Sequence, residues 1–408
     1  MTAAQALSIF FSFGWRMGFP SVGTSAYFLA EEAGKCGCRM IVVSASFDRV
    51  PGNAWKRIST LEILGKRIPF RLVGRKRARE FHDYRAACVL RKLRNSVDAV
   101  HCWPGSSLRT LQVAKELGIP TLLQRTNAHT AFAYQIVARE HEKLGIKLPS
   151  SYSHFPDQKR LDREEAEYQL ADRILVPSDF VYRTFKDRGF GDDKLIRMFY
   201  GYDPKSFYLP PGGIKERRNE KFVITFVGRA EPRKGLHYAL EAWSNSELKT
   251  QTIFRIVGNM NVIPGYINVL GRWLNQSNVQ ILGEIDNVGD VLRDSDVLVL
   301  PAVEEGSAKV TFEARACGCV IAVSDCTGAE CTHMYDGLIH PARDVETLRE
   351  HLLTLFNDRE LYRYLRENSI KTISSFTWEN AASSLMRVYK ETVFGKVSRT
   401  ADDYRSAQ

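Results

Sequence analysis

Glu305 and Glu313 are separated by seven residues in the stretch VEEGSAKVTFEARACGCVIAVSD. The apolar run VLVLPA stands just before them and reads as a β-strand, so Glu305 falls at that strand's carboxyl end. GSAKVTFEARACG then reads as a helix that starts near Ser307 and ends at Gly318. Backbone N–H groups over Gly306, Ser307, Ala308, Lys309 and Val310 would be free at its start, where they suit phosphate oxygens. Glu313 lies two turns into the helix and reaches another part of the same ligand, since a carboxylate accepts well from paired sugar hydroxyls. The plainer alternative is two capping or surface glutamates.

A second constellation lies earlier, in VGRAEPRKGL. A strand ends at Gly228 and a helix starts near Gly235, which puts Arg229 and Lys234 on the loop at the strand's carboxyl end. Two cations beside a helix start make a site for a doubly charged group such as a diphosphate. As an isolated motif, the same pair would also suit a solvated surface.

Elements that could position these groups alternate along the whole chain. ALSIFFSF, RMIVVSAS, DAVHCW, PTLLQRT and RILVPS read as strands separated by helical segments, the rhythm of a parallel sheet. The helix SDFVYRTFKDRG is expected to be capped by Ser178 or Asp179. Around YGYDPKSFYLPPGGIKERRNE the pattern breaks, and a second series follows: KFVITFVG, TIFRIVG, NVQILG, VLVLPA and CVIAVS. The fold class is therefore α/β, with two halves that each build a parallel sheet, and a ligand cleft between them.

With 408 residues, the chain is long for one core, and two domains are expected. Its 44% hydrophobic and 25% charged residues fit a globular protein and argue against disorder. The opening MTAAQALSIFFSFG lacks a basic start and is read as a first strand, not a signal peptide. Eight cysteines are present, but Cys36/Cys38 and Cys317/Cys319 are spaced too tightly for a zinc pair, so reduced thiols in a cytoplasmic setting are expected. The net charge is +10, and basic residues concentrate between Lys56 and Arg94. Such a run attracts anions, among them an acidic membrane surface. No nucleic-acid recognition motif accompanies it. No GxGxxG follows a strand and no Walker loop occurs, which counts against dinucleotide redox chemistry and phosphate-loop NTPases.

GRAEPRKG, IVGN, NVQILGEIDNVGDVLRDSDVLVLPAVEEG and the pair Glu305 and Glu313 resemble the donor half of a GT-B glycosyltransferase, most closely the retaining glycosyltransferase family 4. The resemblance is densest from Lys221 to about Glu330. It implies two Rossmann-like domains: 1–205 for the acceptor, a linker at 206–218, and 219–376 for the donor. A helix at 377–395 would pack back toward the first domain, ahead of a tail at 396–408. It further implies transfer of a hexose from a nucleotide diphosphate sugar, UDP-linked, to a glycan, lipid or small-molecule acceptor. No cofactor or metal is implied.

Carried onto this sequence, Arg229 and Lys234 hold the diphosphate, with Gly228 and Gly258 at the neighbouring strand ends. Glu305 contacts sugar hydroxyls and Glu313 the ribose, while Gly283, Glu284 and Ile285 border the base. Gly23 belongs to the family's first loop, with Thr24 where a second glycine is common. His129 in LLQRTNAHTAF is assigned the family's histidine role, with His101 as runner-up. Glu305-Gly306-Ser307-Ala308-Lys309 replaces the common Glu-Gly-Phe-Gly, leaving the sugar open. Other readings are a GT-B sugar-nucleotide epimerase and a catalytically silent GT-B binding protein.

Overall fold

The structure, a computed structural model, describes residues 6–63, 66–68, 73–210 and 221–395. Most of the expected linker and the tail at 396–408 lie outside the described residues, as does Arg71 of the basic run.

The first sheet contains β1 (Ser8–Met17), β2 (Arg39–Phe47) and β3 (Lys56–Ser59). A small antiparallel pair, β4 (Glu62–Ile63) and β5 (Lys66–Arg67), stands apart. β6 (Ala99–Cys102), β7 (Thr121–Gln124), β8 (Arg173–Val176) and β9 (Leu195–Arg197) complete the first sheet, in the order β3-β2-β1-β6-β7-β8-β9. The second sheet holds β10 (Phe222–Val227), β11 (Thr252–Val257), β12 (Val279–Gly283), β13 (Val297–Leu300), β14 (Val320–Ser324) and β15 (Leu338–His340), in the order β12-β11-β10-β13-β14-β15. Every neighbouring pair in both sheets is parallel.

Parallel strands need both faces covered by helices, which explains their unbroken apolar runs. The residues Ser8–Phe13 of β1 and all of β13 are buried. Each sheet reverses its strand order once, between β1 and β6 and between β10 and β13. At such a reversal the loops leave in opposite directions and open a crevice at the carboxyl ends of the strands.

The chain crosses between the two sheets twice. The later crossing leads into the helix Trp378–Phe394, whose Ala381, Leu385 and Tyr389 join the core of the first sheet. Trp378 stacks on Phe28 at 5.3 Å. The two crossings touch: Tyr202 N donates to Phe376 O at 3.1 Å, and Trp378 N donates to Tyr202 O at 3.4 Å. Elsewhere the halves meet through Ser178, the residue that caps the helix Asp179–Lys186; its Oγ donates to Gly306 O at 2.5 Å. Buried Glu140 accepts from Tyr238 Oη at 2.8 Å and Arg343 Nε at 2.5 Å, tying the helix Thr130–Lys143 to the second half. No described helix is long and apolar enough to cross a membrane.

Gly235 starts the helix Leu236–Ser244 with a φ of 72°, and a Cβ there would lie 2.0 Å from Pro301 O. Both the left-handed backbone and the contact exclude a side chain. Gly235→Ala should lower stability by about 2–4 kcal/mol. A urea unfolding curve that superimposes on the wild-type curve would refute this account of Gly235 packed against the loop after β13.

Candidate active site

The loop after β10 turns at once into a short 3₁₀ segment, Pro232–Lys234. That tight turn sends its neighbouring cations different ways. Arg233 is buried and Lys234 points toward the loop after β13. Arg233 Nε donates to Glu231 Oε2 at 2.9 Å, and its Nη1 donates to Glu304 O at 2.8 Å and to Glu305 Oε2 at 3.1 Å. Glu304 Oε2 lies 3.3 Å from the same nitrogen. Lys234 Nζ donates to Glu305 Oε2 at 2.5 Å. Arg229 is more open, its side chain 55% exposed, and it pairs with Glu231 Oε1 at 2.8 Å.

Burial opposes charge on these acids, but the cations override it. Arg233 and Lys234 hold Glu305 down to about 2, and Arg233 also lowers Glu231 and, with His154, Glu304. The first half of the chain contributes as well. Tyr152 Oη donates to Glu231 Oε2 at 2.9 Å, and His154 Nε2 lies 3.5 Å from Glu304 Oε2.

Gly306 follows Glu305 and touches the opposite domain. A Cβ on it would lie 1.6 Å from Thr126 O, in the loop after β7. The helix Lys309–Ala316 begins two residues later than the sequence suggested, with Ala308 as its N-cap. Ser307 Oγ is buried without a partner among the described residues. Lys309 Nζ donates to Ser21 O at 2.9 Å, so the loop holding Gly23 meets the start of this helix across the cleft. Glu313 is half-buried and pushed up by burial, partly offset by Lys309. Val310 is partly buried beside it.

The remaining expected residues fall at neighbouring strand ends. Gly228 N donates to Val257 O at 2.8 Å, and Gly258 N to Gly283 O at 2.7 Å, so the ends of β10, β11 and β12 converge. Glu284 is exposed and accepts from Asn259 Nδ2 at 3.4 Å, with Ile285 next to it.

His129 sits apart from this group. It caps the helix Thr130–Lys143, its Nδ1 accepting from Ala131 N at 3.3 Å, and its ring packs against Tyr168, Phe185 and Phe190. Burial, with Arg125 and Arg188 nearby, draws it down to about 3, while its Nε2 lies 3.0 Å from Glu165 Oε1. These contacts make His129 the cap of that helix, and none of them is to Lys234, Glu305 or Glu313. His101 is no substitute: it is buried, with Nδ1 2.7 Å from Tyr389 Oη. Arg233, Glu231 and Glu304 were not singled out from the sequence as site residues, and Tyr152 and His154 were marked only as part of the segment Lys147–Gln158, a candidate acceptor loop. Their only signals were the crowding of charge in AEPRKG and VEEG, and the aromatic, proline-broken segment around Tyr152.

Arg233→Met would leave three buried carboxylates without their shared cation, at a cost of about 3–5 kcal/mol near pH 7. Glu305 is held below its ordinary value in the folded chain, so its contribution is present above about pH 4.5 and disappears as pH falls toward about 2. The gap between variant and wild type should therefore narrow across that window. Urea midpoints measured at both ends test this, and a gap independent of pH would count against it.

Comparison with known proteins follows the same division of the chain. Residues 221–358 match the family model described as Glycosyl transferases group 1. N,N'-diacetylbacillosaminyl-diphospho-undecaprenol alpha-1,3-N-acetylgalactosaminyltransferase of Campylobacter jejuni is 28% identical over 239 residues, covering 55% of this chain and 62% of that protein. UDP-Gal:alpha-D-GlcNAc-diphosphoundecaprenol alpha-1,3-galactosyltransferase of Escherichia coli is 25% identical over 195 residues, covering 45% of this chain and 50% of that protein. The chain thus spans less than two thirds of the length of either relative. Among solved structures, sucrose-phosphate synthase from Thermosynechococcus elongatus superposes with a TM-score of 0.70 at 16% identity, covering 96% of this chain and 100% of that one. The two parallel sheets give this chain the GT-B fold, and it is residues 221–358, the second sheet and its helices, that match the glycosyl transferases group 1 model.

Proposed function

We propose that the chain is a retaining glycosyltransferase. It moves a hexosyl group from a nucleotide diphosphate sugar, UDP-linked as in the name of the Escherichia coli relative, to a hydroxyl of a glycan, lipid or small-molecule acceptor. The observation that carries the reading is the Lys234–Glu305 pair, held by buried Arg233 where β10 and β13 diverge.

Arg233 fixes Glu305 from behind, which leaves Lys234 able to turn from Glu305 to a phosphate while Glu305 stays charged. Glu305 then accepts from a sugar hydroxyl, and Glu313 from the ribose. As the bond between the anomeric carbon and the diphosphate oxygen breaks, charge grows on that oxygen. Lys234, Arg229 and the free N–H groups at the start of the helix Lys309–Ala316 stabilise it. The acceptor oxygen bonds to the anomeric carbon on the face that the diphosphate leaves, and its proton passes to a phosphate oxygen. The released nucleoside diphosphate carries both electrons of the broken bond. No protein nucleophile takes part. Contacts across the cleft, such as Gly306 against Thr126, exclude water that would hydrolyse the donor.

The reading takes these cations as sufficient without a metal ion. The two relatives named above act, by their names, on diphospho-undecaprenol-linked acceptors, and a lipid-linked glycan is the acceptor class we favour.

UDP at a hundredfold its Kd should stabilise the wild type by about 2.7 kcal/mol, and Lys234→Ala and Glu313→Ala should lose most of the rise in melting temperature. Glu305→Gln should lower turnover by about a hundredfold with the fold intact. Proton NMR of the product should show the donor's anomeric configuration, and turnover should survive excess EDTA. An inverted product would sink the retaining assignment, and loss of activity in EDTA the metal-free one.

A further inference from the structure

The helix Lys309–Ala316 opens on a cation. A positive side chain in a first helical turn opposes the helix dipole. Lys309 is also half-buried, so its ammonium has little water around it. Glu313 and Glu305 lie near enough to favour the charge, yet burial prevails and draws the ammonium below its ordinary value. Neither carboxylate pairs with it, and Glu305 is held by Arg233 and Lys234. Among the described residues Lys309 is answered by a neutral group: its Nζ donates to Ser21 O at 2.9 Å, across the two halves.

Ser21 is itself held in an uncommon state. It precedes the helix Val22–Lys35 with φ 83° and ψ −126°, a backbone region where a Cβ is crowded and glycine is the ordinary occupant. Its side chain makes no capping bond that would account for the conformation. The turn around it is tight. Gly18 N donates to Gly23 O at 2.8 Å, and Thr24 Oγ1 donates to Phe19 O at 3.2 Å. A Cβ on Gly23 would lie 2.3 Å from Arg16 O, so the turn is pressed against the end of β1. The bond from Lys309 is what Ser21 gains in this state. A strained carbonyl takes the cation, and a cation without a carboxylate takes the carbonyl.

This contact has a competitor. Lys309 stands at the helix start where the transferase reading puts the donor's diphosphate, and the buried Ser307 Oγ two residues before it lacks a partner among the described residues. A phosphate oxygen carries full charge and a carbonyl only a dipole, so the ammonium favours the phosphate. Once the ammonium leaves, nothing repays the strain at Ser21.

We propose that Lys309 is a switch between the two halves: it holds Ser21 in the arrangement described and turns to the donor's diphosphate when the donor binds, releasing the loop 18–23 at the carboxyl end of β1. This rests on the transferase reading above and adds how donor binding is reported to the half expected to hold the acceptor. A ligand shifts such an equilibrium only by its different affinity for the two states, and Lys309 supplies that difference.

Hydrogen–deuterium exchange of the full chain, followed over residues 18–24 with and without saturating UDP, tests it. In the wild type UDP should speed exchange there about tenfold. Lys309→Met keeps the length and loses the charge; it should exchange at the faster rate already and gain nothing from UDP. Its affinity for UDP, by isothermal titration, should fall about tenfold. Ser21→Gly takes the same backbone without strain. It should raise the melting temperature yet weaken UDP severalfold, because binding no longer releases strain. A merely structural strap would leave UDP affinity unchanged in both variants, and that result overturns the proposal. Slower exchange in the wild type on adding UDP overturns it as well. If Lys309→Met folds poorly, Ser21→Gly carries the comparison. A wild type that does not bind UDP counts against the donor reading instead. Inorganic pyrophosphate, which carries the same charged group, then replaces UDP, and dependence on Lys309 still decides. A wild type that binds neither overturns the donor reading and the switch together.

Discussion

One buried guanidinium organises the centre of this molecule. Arg233 is withdrawn from water, and a charge in that position persists only when its donors are answered. Three carboxylates from two loops answer them: Glu231 beside it, and Glu304 and Glu305 after β13. The loops after β10 and β13 therefore cannot shift independently. Tyr152 and His154 extend the constraint to the first half of the chain through the same acids. The geometry of Glu305 is set before any ligand arrives, which is the preorganisation that charge stabilisation needs.

Topology decides where this happens. Each sheet reverses its order once, and each reversal collects charged side chains at the carboxyl ends of the diverging strands. At β10 and β13 the cations have acidic partners. At β1 and β6 Arg79 has none among the described residues. Gly306, Lys309 and Ser178 bridge the two halves at short distances. A side chain at Gly306 would push Thr126 away, so the close approach of the domains depends on one missing Cβ.

Much of this was legible in the sequence, for physical reasons. Strands such as VLVL and FVITFV are covered on both faces, so their apolar runs are continuous and plain to read. The glutamate spacing placed Glu305 on a loop and Glu313 on a helix, although the helix starts at Lys309 and not near Ser307. Arg233 was passed over because sequence shows that cations are adjacent, not which one a 3₁₀ turn buries. His129 is ambiguous in the sequence for a related reason. A histidine between a strand and a helix looks alike whether it faces a cleft or caps the helix, and only the rings of Tyr168, Phe185 and Phe190 around it distinguish the two. The separate role of Tyr152 could not be seen, because its partner Glu231 is distant in sequence and meets it only through tertiary packing.

The paired crossings at Tyr202 and Phe376–Trp378 have a mechanical consequence. Two strands of chain joined by hydrogen bonds at one point behave as a pivot, and they resist the twisting that a lone tether would allow. Such a joint leaves rocking about that point as the least hindered relative motion of the halves. A single cut in either crossing would leave the other as an axle, and the core contacts of the Trp378–Phe394 helix would keep the severed pieces together.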